Sequence, residues 1–239
     1  MNLCNKCLKE GNPIVEALGN GIQAIMIKTT KPSPVGKQFV FFPTSLYNHV
    51  NINETFKEQY QDFAQQNQEV ARVNNKNVIK YYASVEYVIE DAKIPLKYFD
   101  DFHIWEEDYL KDFLGKKSVY IWLLRVYQLK ENFPAPMVKG GMYGNLKKGI
   151  SVDFMRPVIS DDDFTKIKQK LISIEYDYYN NDETIITKRL NTIIDSQEKI
   201  LEQVNRIDEN LVFRDRKYSN QLFKTINNQY NSINNRRHK

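Results

Sequence analysis

The chain has 239 residues, 41% of them hydrophobic and 13% aromatic, with a net charge of +4, enough apolar material for one sizeable core plus an extension or for two small domains. Cys4 and Cys7 are the two cysteines, which excludes a disulfide framework, and so mild a charge does not by itself establish a polyanionic partner. The start MNLCNKCLKE lacks the apolar run of a signal peptide, and the longest apolar stretch, Val119 to Val126, is interrupted by Arg125 and too short for a bilayer, so a cytoplasmic protein without membrane contact is expected.

Asn12-Pro13 reads as an N-cap with proline at the first helical position, and the helix Ile14 to Leu18 stops at Gly19-Asn20-Gly21. Ile22 to Thr29 and Lys37 to Phe42 read as strands around the loop Lys31-Pro-Ser-Pro-Val-Gly36, the second ending at Pro43. Both are apolar on both faces in places, as a closed barrel or a covered sheet requires. Over 52–66 the period changes: Ile52, Phe56, Tyr60 and Phe63 fall at helical spacing and predict an amphipathic helix. The polar run Gln65 to Asn77 reads as a loop. Val78 to Ile89 alternates, with Ile79, Tyr81, Ala83, Val85, Tyr87 and Ile89 on one face and Lys80, Ser84 and Glu86 on the other. A short helix from Glu106 to Leu114 ends at Gly115, and Val119 to Leu129 is a further strand, apolar on both faces. Phe133-Pro-Ala-Pro-Met-Val-Lys-Gly-Gly141 is extended and then turns, and a short strand or turn lies within 142–153.

At Ser160 the character changes. Ser160 with Asp163 makes a capping-box-like start, and Phe164, Ile167, Leu171 and Ile174 follow one helical face. From Glu183 onward there is neither proline nor glycine. Leu190, Ile193, Ile200, Val204, Ile207 and Leu211 fit heptad a and d positions, with Gln197 as a polar a residue. This predicts a homo-oligomer through residues 186–214; the competing reading is a helix folded back on its own domain. Beyond Asp215 there is no acidic residue, and Arg216, Lys217, Lys224, Arg236, Arg237 and Lys239 form a basic end that suits either a polyanion or a helix dipole. The expected division is a domain over 1–158 and a helical tail over 159–239.

Few motifs carry chemistry. Cys4-Asn-Lys-Cys7 is a lone CxxC; a structural zinc site needs four ligands, and His49, His103 and His238 lack paired spacing, so no metal or other cofactor is expected. His103-Ile-Trp105 lies on a connection where functional residues collect: Trp105 can stack a base and His103 can donate to one, or both can serve the packing. Arg125, inside an apolar strand, either pairs with a carboxylate such as Glu86 or Glu16 or faces a cleft. Asp91-Ala-Lys93 has the local form of a paired-carboxylate nuclease but lacks a clear partner acid.

The order of elements over about residues 12–150 resembles the ASCH branch of the PUA-like superfamily, small barrels linked to RNA. Three stretches carry the resemblance: Pro13 to Lys28, read as opening helix, glycine turn and first strand; Tyr81-Tyr-Ala-Ser-Val-Glu-Tyr-Val88; and Val119 to Leu129 followed by Phe133-Pro-Ala-Pro136 and Gly140. Aligned on Gly21, the superfamily's lysine, threonine, glutamate and arginine become Gln23, Ala24, Met26 and Lys28, so the amide hydrolysis ascribed to some relatives is not implied. A second resemblance, to a prokaryotic family of unknown function, rests on Phe42-Pro43-Thr44, His103 to Trp105 and Leu124 to Tyr127, and implies no chemistry.

The fold expected is α+β: a PUA-like mixed β-barrel with flanking short helices, followed by a long, coiled-coil-like helical tail. The leading function is nucleic-acid binding without catalysis, RNA before DNA. An unstacked base would enter a cleft between the first strand and the 98–110 connection. The expected contacts are Gly21, Gln23, Lys28, His103, Trp105 and Arg125. The alternatives are a protein–protein component of a defence or mobile-element system, and a metal-dependent nuclease or modified-nucleoside hydrolase.

Overall fold

The computed structural model describes residues 2–33, 37–90, 92–181 and 224–228. It opens with a strand that residue pattern does not reveal, β1 (Leu3–Gly11), which leads directly into α1 (Asn12–Gly19). Gly11 is the N-cap and Pro13 sits in the first turn, where a missing N–H costs nothing. Every residue of α1 is buried, so this helix is core on all sides rather than amphipathic. β2 (Ile25–Lys28) and β3 (Gln38–Thr44) follow, then the short helices α2 (Ile52–Thr55) and α3 (Gln61–Gln66), β4 (Arg72–Val73) and β5 (Lys76–Ile89). A 3₁₀ segment (Leu96–Phe102), α4 (Glu107–Leu114), β6 (Tyr120–Ala135), β7 (Tyr143–Ser151), β8 (Arg156–Pro157) and α5 (Asp161–Asn181) complete the order.

The strands form one mixed sheet in the order β2-β6-β5-β3-β1-β7, with β4 paired to β5 and β8 to β6. β1 runs parallel to β3 and antiparallel to β7. Among the described residues no pairing joins β2 to β7, so the expected closed barrel is corrected to an open sheet. Strands apolar on both faces are explained by cover instead of closure. Val40 and Phe42 of β3 pack into a cluster with Cys7, Ile79, Tyr82 and Ile150, while their neighbours Phe39 and Phe41 are equally buried and in edge contact with each other. Each such ring contributes about 2–3 kcal/mol by leaving water.

Three local expectations change for identifiable reasons. The helix expected over 52–66 is broken, because Phe56 pairs with Trp105 in an isolated bridge. Lys57 N–H donates to the Ile104 carbonyl (3.0 Å) and Glu106 N–H to that of Thr55 (2.9 Å), and these two bonds hold Phe56 and Lys57 extended after α2. The expected loop 65–77 contains a hairpin, β4 to β5, turned by Asn74 and Asn75 at φ 49° and 59°, positions asparagine tolerates better than most residues. β3 continues through Pro43, which lies opposite Glu10 and whose carbonyl accepts from Asn77 Nδ2 (2.9 Å).

The first compact unit spans Met1–Tyr178 and therefore takes in most of α5, which the division at 158/159 gives to the tail. The capping pair forms as expected: Asp163 N–H donates to Ser160 Oγ (3.1 Å), and Ser160 Oγ donates to Asp163 Oδ2 (2.8 Å). Phe164 and Leu171 are buried, Lys170 pairs with Asp101 (2.7 Å), and the Tyr87 hydroxyl donates to Glu175. The second unit spans Tyr179–Lys239, of which a helical turn at 224–228 is described beyond the end of α5. The heptad residues and the expected oligomer contact at 186–214 lie outside the described residues, as do the basic positions apart from Lys224. Among the described residues no helix is long and apolar enough to cross a membrane.

Candidate functional site

The end of β1 brings Glu10 into the protein just before the chain turns into α1. Its side chain is 3% exposed, and burying a carboxylate costs heavily unless a counter-charge and hydrogen bonds meet it there. It receives both: Gly11 N–H donates to Oε1 (2.8 Å), and the ammonium of Lys28, the last residue of β2, donates to Oε2. Lys28 is itself only 14% exposed. The Glu10 main chain is fixed as well, its carbonyl accepting from Thr44 Oγ1 (3.0 Å). Gly11 must be glycine for a steric reason, since a Cβ there would lie 2.0 Å from Tyr47 Cδ2.

Aromatic residues from two further segments enclose this pair. Tyr47, Trp105, Tyr109 and Phe113, with Leu46, Ile27 and Leu110, line a cavity of about 60 Å³ above Glu10 and Lys28. Trp105 is positioned by the Phe56 bridge, and its Nε1–H donates to the Tyr47 hydroxyl (3.0 Å). The Tyr47 ring lies tilted beside that of Tyr109, with centroids 6.4 Å apart. Burial first, and the Glu10 charge second, push the Tyr47 hydroxyl well above the usual phenol range, so it stays protonated and serves as a fixed dipole. Tyr109 and Phe113, one helical turn apart on α4, lie nearly parallel at 11° with centroids 6.4 Å apart. Phe113 is 47% exposed, Leu46 is more so, and Lys116 and Lys117 follow exposed at the end of the helix. The cavity has room for a water or two and no whole ring. A planar ligand would therefore lie on the Phe113–Tyr109 rim and direct a polar edge inward at the ion pair.

The structure brings Lys28 and Trp105 together on this pocket and puts the other expected residues elsewhere. Trp105 is buried, so its role is wall and not open stacking platform. Gln23 is tied into the backbone: Nε2 donates to the Ile25 carbonyl (2.7 Å) and Oε1 accepts from Ile104 N–H (3.3 Å). His103 is 2% exposed, and neither ring nitrogen meets a hydrogen-bond partner. Burial first, then the Lys57 ammonium, push its imidazole down to about 3, against the smaller opposing effects of Asp100 and the Trp105 backbone. It is a neutral core histidine. Gly21, at φ +69°, lines a separate cleft of about 250 Å³ with Phe102, Lys166, Ile167 and Lys170.

Arg125 is buried, but neither Glu86 nor Glu16 is its partner. Its guanidinium donates to the carbonyls of Ile159 (2.6 Å) and Ser160 (3.4 Å) and to Asp161, and lies 4.6 Å from the Phe164 ring centre. It fastens the start of α5 to the sheet. Glu16 instead binds Lys80 (2.8 Å) and the Tyr81 hydroxyl (3.0 Å). Cys4 and Cys7 reach the same apolar cluster because the register shifts between Cys4 and Lys6. Burial raises both thiols, Cys7 to about 11, so neither is a ready thiolate. Among the described residues no group of three or more His, Cys, Asp or Glu is placed to hold a metal ion. Asp91, the acid of the nuclease alternative, lies outside the described residues.

Sequence reasoning missed Glu10, Tyr47, Tyr109 and Phe113. α4 did carry a signal, because it pairs two apolar stripes: Leu110 and Leu114 are buried, while Tyr109 and Phe113 form a second i, i+4 pair with no core to face. For Glu10 and Tyr47 there was none; they meet only through tertiary pairing.

Comparison with known proteins adds family membership and no chemistry. Among curated proteins none matches the chain. Solved structures similar to it include ASCH from Zymomonas mobilis, at 11% identity and a TM-score of 0.37, covering 70% of this chain and 93% of that one. A serine-to-alanine variant of the same protein aligns at 9% identity and a TM-score of 0.36, covering 69% and 94%. Residues 7–170, well over half of the sequence, match the family described as Domain of unknown function (DUF1802), and the chain belongs to that family.

Proposed function

We propose that this protein is a nucleic-acid-binding module, favouring RNA, that binds without catalysis and gains avidity from self-association of its tail. The observation that carries the reading is the pocket over Glu10 and Lys28. It combines a parallel aromatic rim, exposed at Phe113 and half-buried at Tyr109, for a flat ring with one donor and one acceptor of opposite charge for a polar edge. Lys116 and Lys117, beside Phe113, would meet the phosphates. Unstacked bases are what such a rim accepts, and single-stranded RNA presents them. The tail enters through the heptad pattern at 186–214: two or more pockets on one oligomer would raise retention on a long strand.

The test uses filter binding of single-stranded RNA by the full chain. Phe113→Ala should weaken retention about tenfold, the scale of one base–aromatic stack. Lys116→Gln with Lys117→Gln should reduce the slope of log affinity against log salt by about 1.4. Equal affinity in wild type and Phe113→Ala removes the reading, and an affinity that ignores salt favours a protein partner.

A further inference from the structure

Phe154 is the most exposed large apolar residue described, at 85%, and it adopts φ +61°. That left-handed conformation suits glycine and is rare for a bulky side chain. Burial does not reward it, for the ring is left almost wholly in water. What holds it there is the segment around it. Val152 and Met155 both pack against the apolar cluster beneath the sheet, so the two residues between them are forced outward. Asp153 is clamped at the chain start: its Oδ2 accepts from Asn2 N–H (3.0 Å) and its Oδ1 from Asn2 Nδ2 (2.9 Å), and Val152 N–H donates to the Asn2 carbonyl (3.0 Å). Phe154 is thus displayed on a rigid support. Backbone strain kept by a built support, with no apolar burial gained, is the pattern of a residue placed for binding.

Its surroundings say what it would bind. Lys130 Nζ lies 5.9 Å from the ring centre. On the same strand, two residues back and on the same face, Gln128 stands opposite Arg156 of β8, and all three are exposed. One flat apolar ring flanked by two cations and an amide matches a single-stranded nucleic acid, with a base on the ring and neighbouring phosphates on the cations. A membrane would call for more apolar area than a single ring provides. This surface is distinct from the pocket: none of its residues lines that cavity, and Lys28 lies opposite Tyr120 at the start of β6, whereas Lys130 is ten residues farther along that strand, roughly 33 Å at 3.3 Å per residue.

We infer that Phe154, with Lys130 and Arg156, is a second contact for single-stranded nucleic acid, in which the strained ring stacks on a base. The inference rests on the nucleic-acid reading but not on the pocket. It is tested with full-length proteins and a 5′-fluorescein-labelled 20-mer of oligouridylate, by anisotropy and thermal melting. Phe154→Gly should bind about tenfold more weakly, yet melt at or above the wild-type temperature, because glycine accepts this φ without strain. Lys130→Gln with Arg156→Gln should lower the salt slope by about 1.4. Unchanged oligonucleotide affinity in either variant overturns the inference, as does a lowered melting temperature in Phe154→Gly, which would make the ring structural. Retention on phosphatidylserine vesicles that is lost in Phe154→Gly, with no oligonucleotide effect, also overturns it. Loss in Phe113→Ala alone leaves the pocket standing and this contact refuted; loss in Phe154→Gly alone does the reverse. A wild type that binds no oligonucleotide defeats both.

Discussion

His103 sets how this protein should respond to acid. In the unfolded chain its imidazole titrates near 6.5, and in the folded protein at about 3. A base whose folded value is depressed takes no proton from the native state at pH 7, so its full stability is present above 6.5. That stability is lost as pH falls from 6.5 towards 3, because the unfolded chain binds the proton first. From pH 7 to pH 5 the loss is about 2 kcal/mol, from 1.36 kcal/mol per unit over the 1.5 units below the unfolded value. The figure depends little on the folded value so long as that stays below about 4. In a chain of this size the effect is a fall of about 4–8 °C in melting temperature beyond that from other groups. The perturbation that isolates it is His103→Leu, which removes two unpartnered nitrogens and keeps a similar volume. At pH 7 it should be neutral or stabilising, since no hydrogen bond is lost. Thermal melts by circular dichroism at pH 7 and pH 5 compare the two proteins. An equal drop in both would refute the reasoning, and would mean that the ring is hydrated or paired in the native state.

Three further outcomes follow from the packing. Gly11→Ala would put a methyl group inside the Tyr47 ring and should cost at least about 3 kcal/mol, read as a lowered urea midpoint. Lys28→Met leaves the Glu10 carboxylate buried and unpaired, at about 3–5 kcal/mol, whereas Glu10→Gln combined with Lys28→Met should recover most of that in the same urea titration. Arg125→Ala should cost about 3 kcal/mol by freeing two carbonyls and the Phe164 contact, while Asp161→Asn should cost less than about 1 kcal/mol because Asp161 is 92% exposed. Equal costs for these last two would show that the ion pair, and not the carbonyls, holds the arginine.

The sequence was most informative where local chemistry alone decides. Pro13 and Gly19 bound α1, Gly115 ends α4, and Ser160 with Asp163 starts α5, since each acts through its own backbone. It failed where pairing decides. β1 reads as polar because Asn5, Lys6 and Lys9 interrupt it and a register shift spoils its alternation, yet it lies between two partners and supplies the charged floor of the site. The spacing of Ile52, Phe56, Tyr60 and Phe63 satisfied a helix, and two hydrogen bonds to the 104–106 segment overrode it. Lys28 at a strand end and Trp105 on a connection share a pocket, although nothing local joins them. His103 and Arg125 looked equally polar and functional in sequence; burial without partners and anchoring to α5 became visible only when the neighbouring chain was in place.

The central claim is that a base sits on the aromatic rim over Glu10 and Lys28. The chain has two tryptophans, and their indole N–H groups have different partners: Trp105 donates to the Tyr47 hydroxyl in the pocket wall, and Trp122 to the Thr30 carbonyl. In protein carrying ¹⁵N only in tryptophan, titration with single-stranded oligouridylate should shift the Trp105 indole signal saturably, leave that of Trp122 in place, and lose the effect in Phe113→Ala. RNA bound with both signals unmoved would contradict the account.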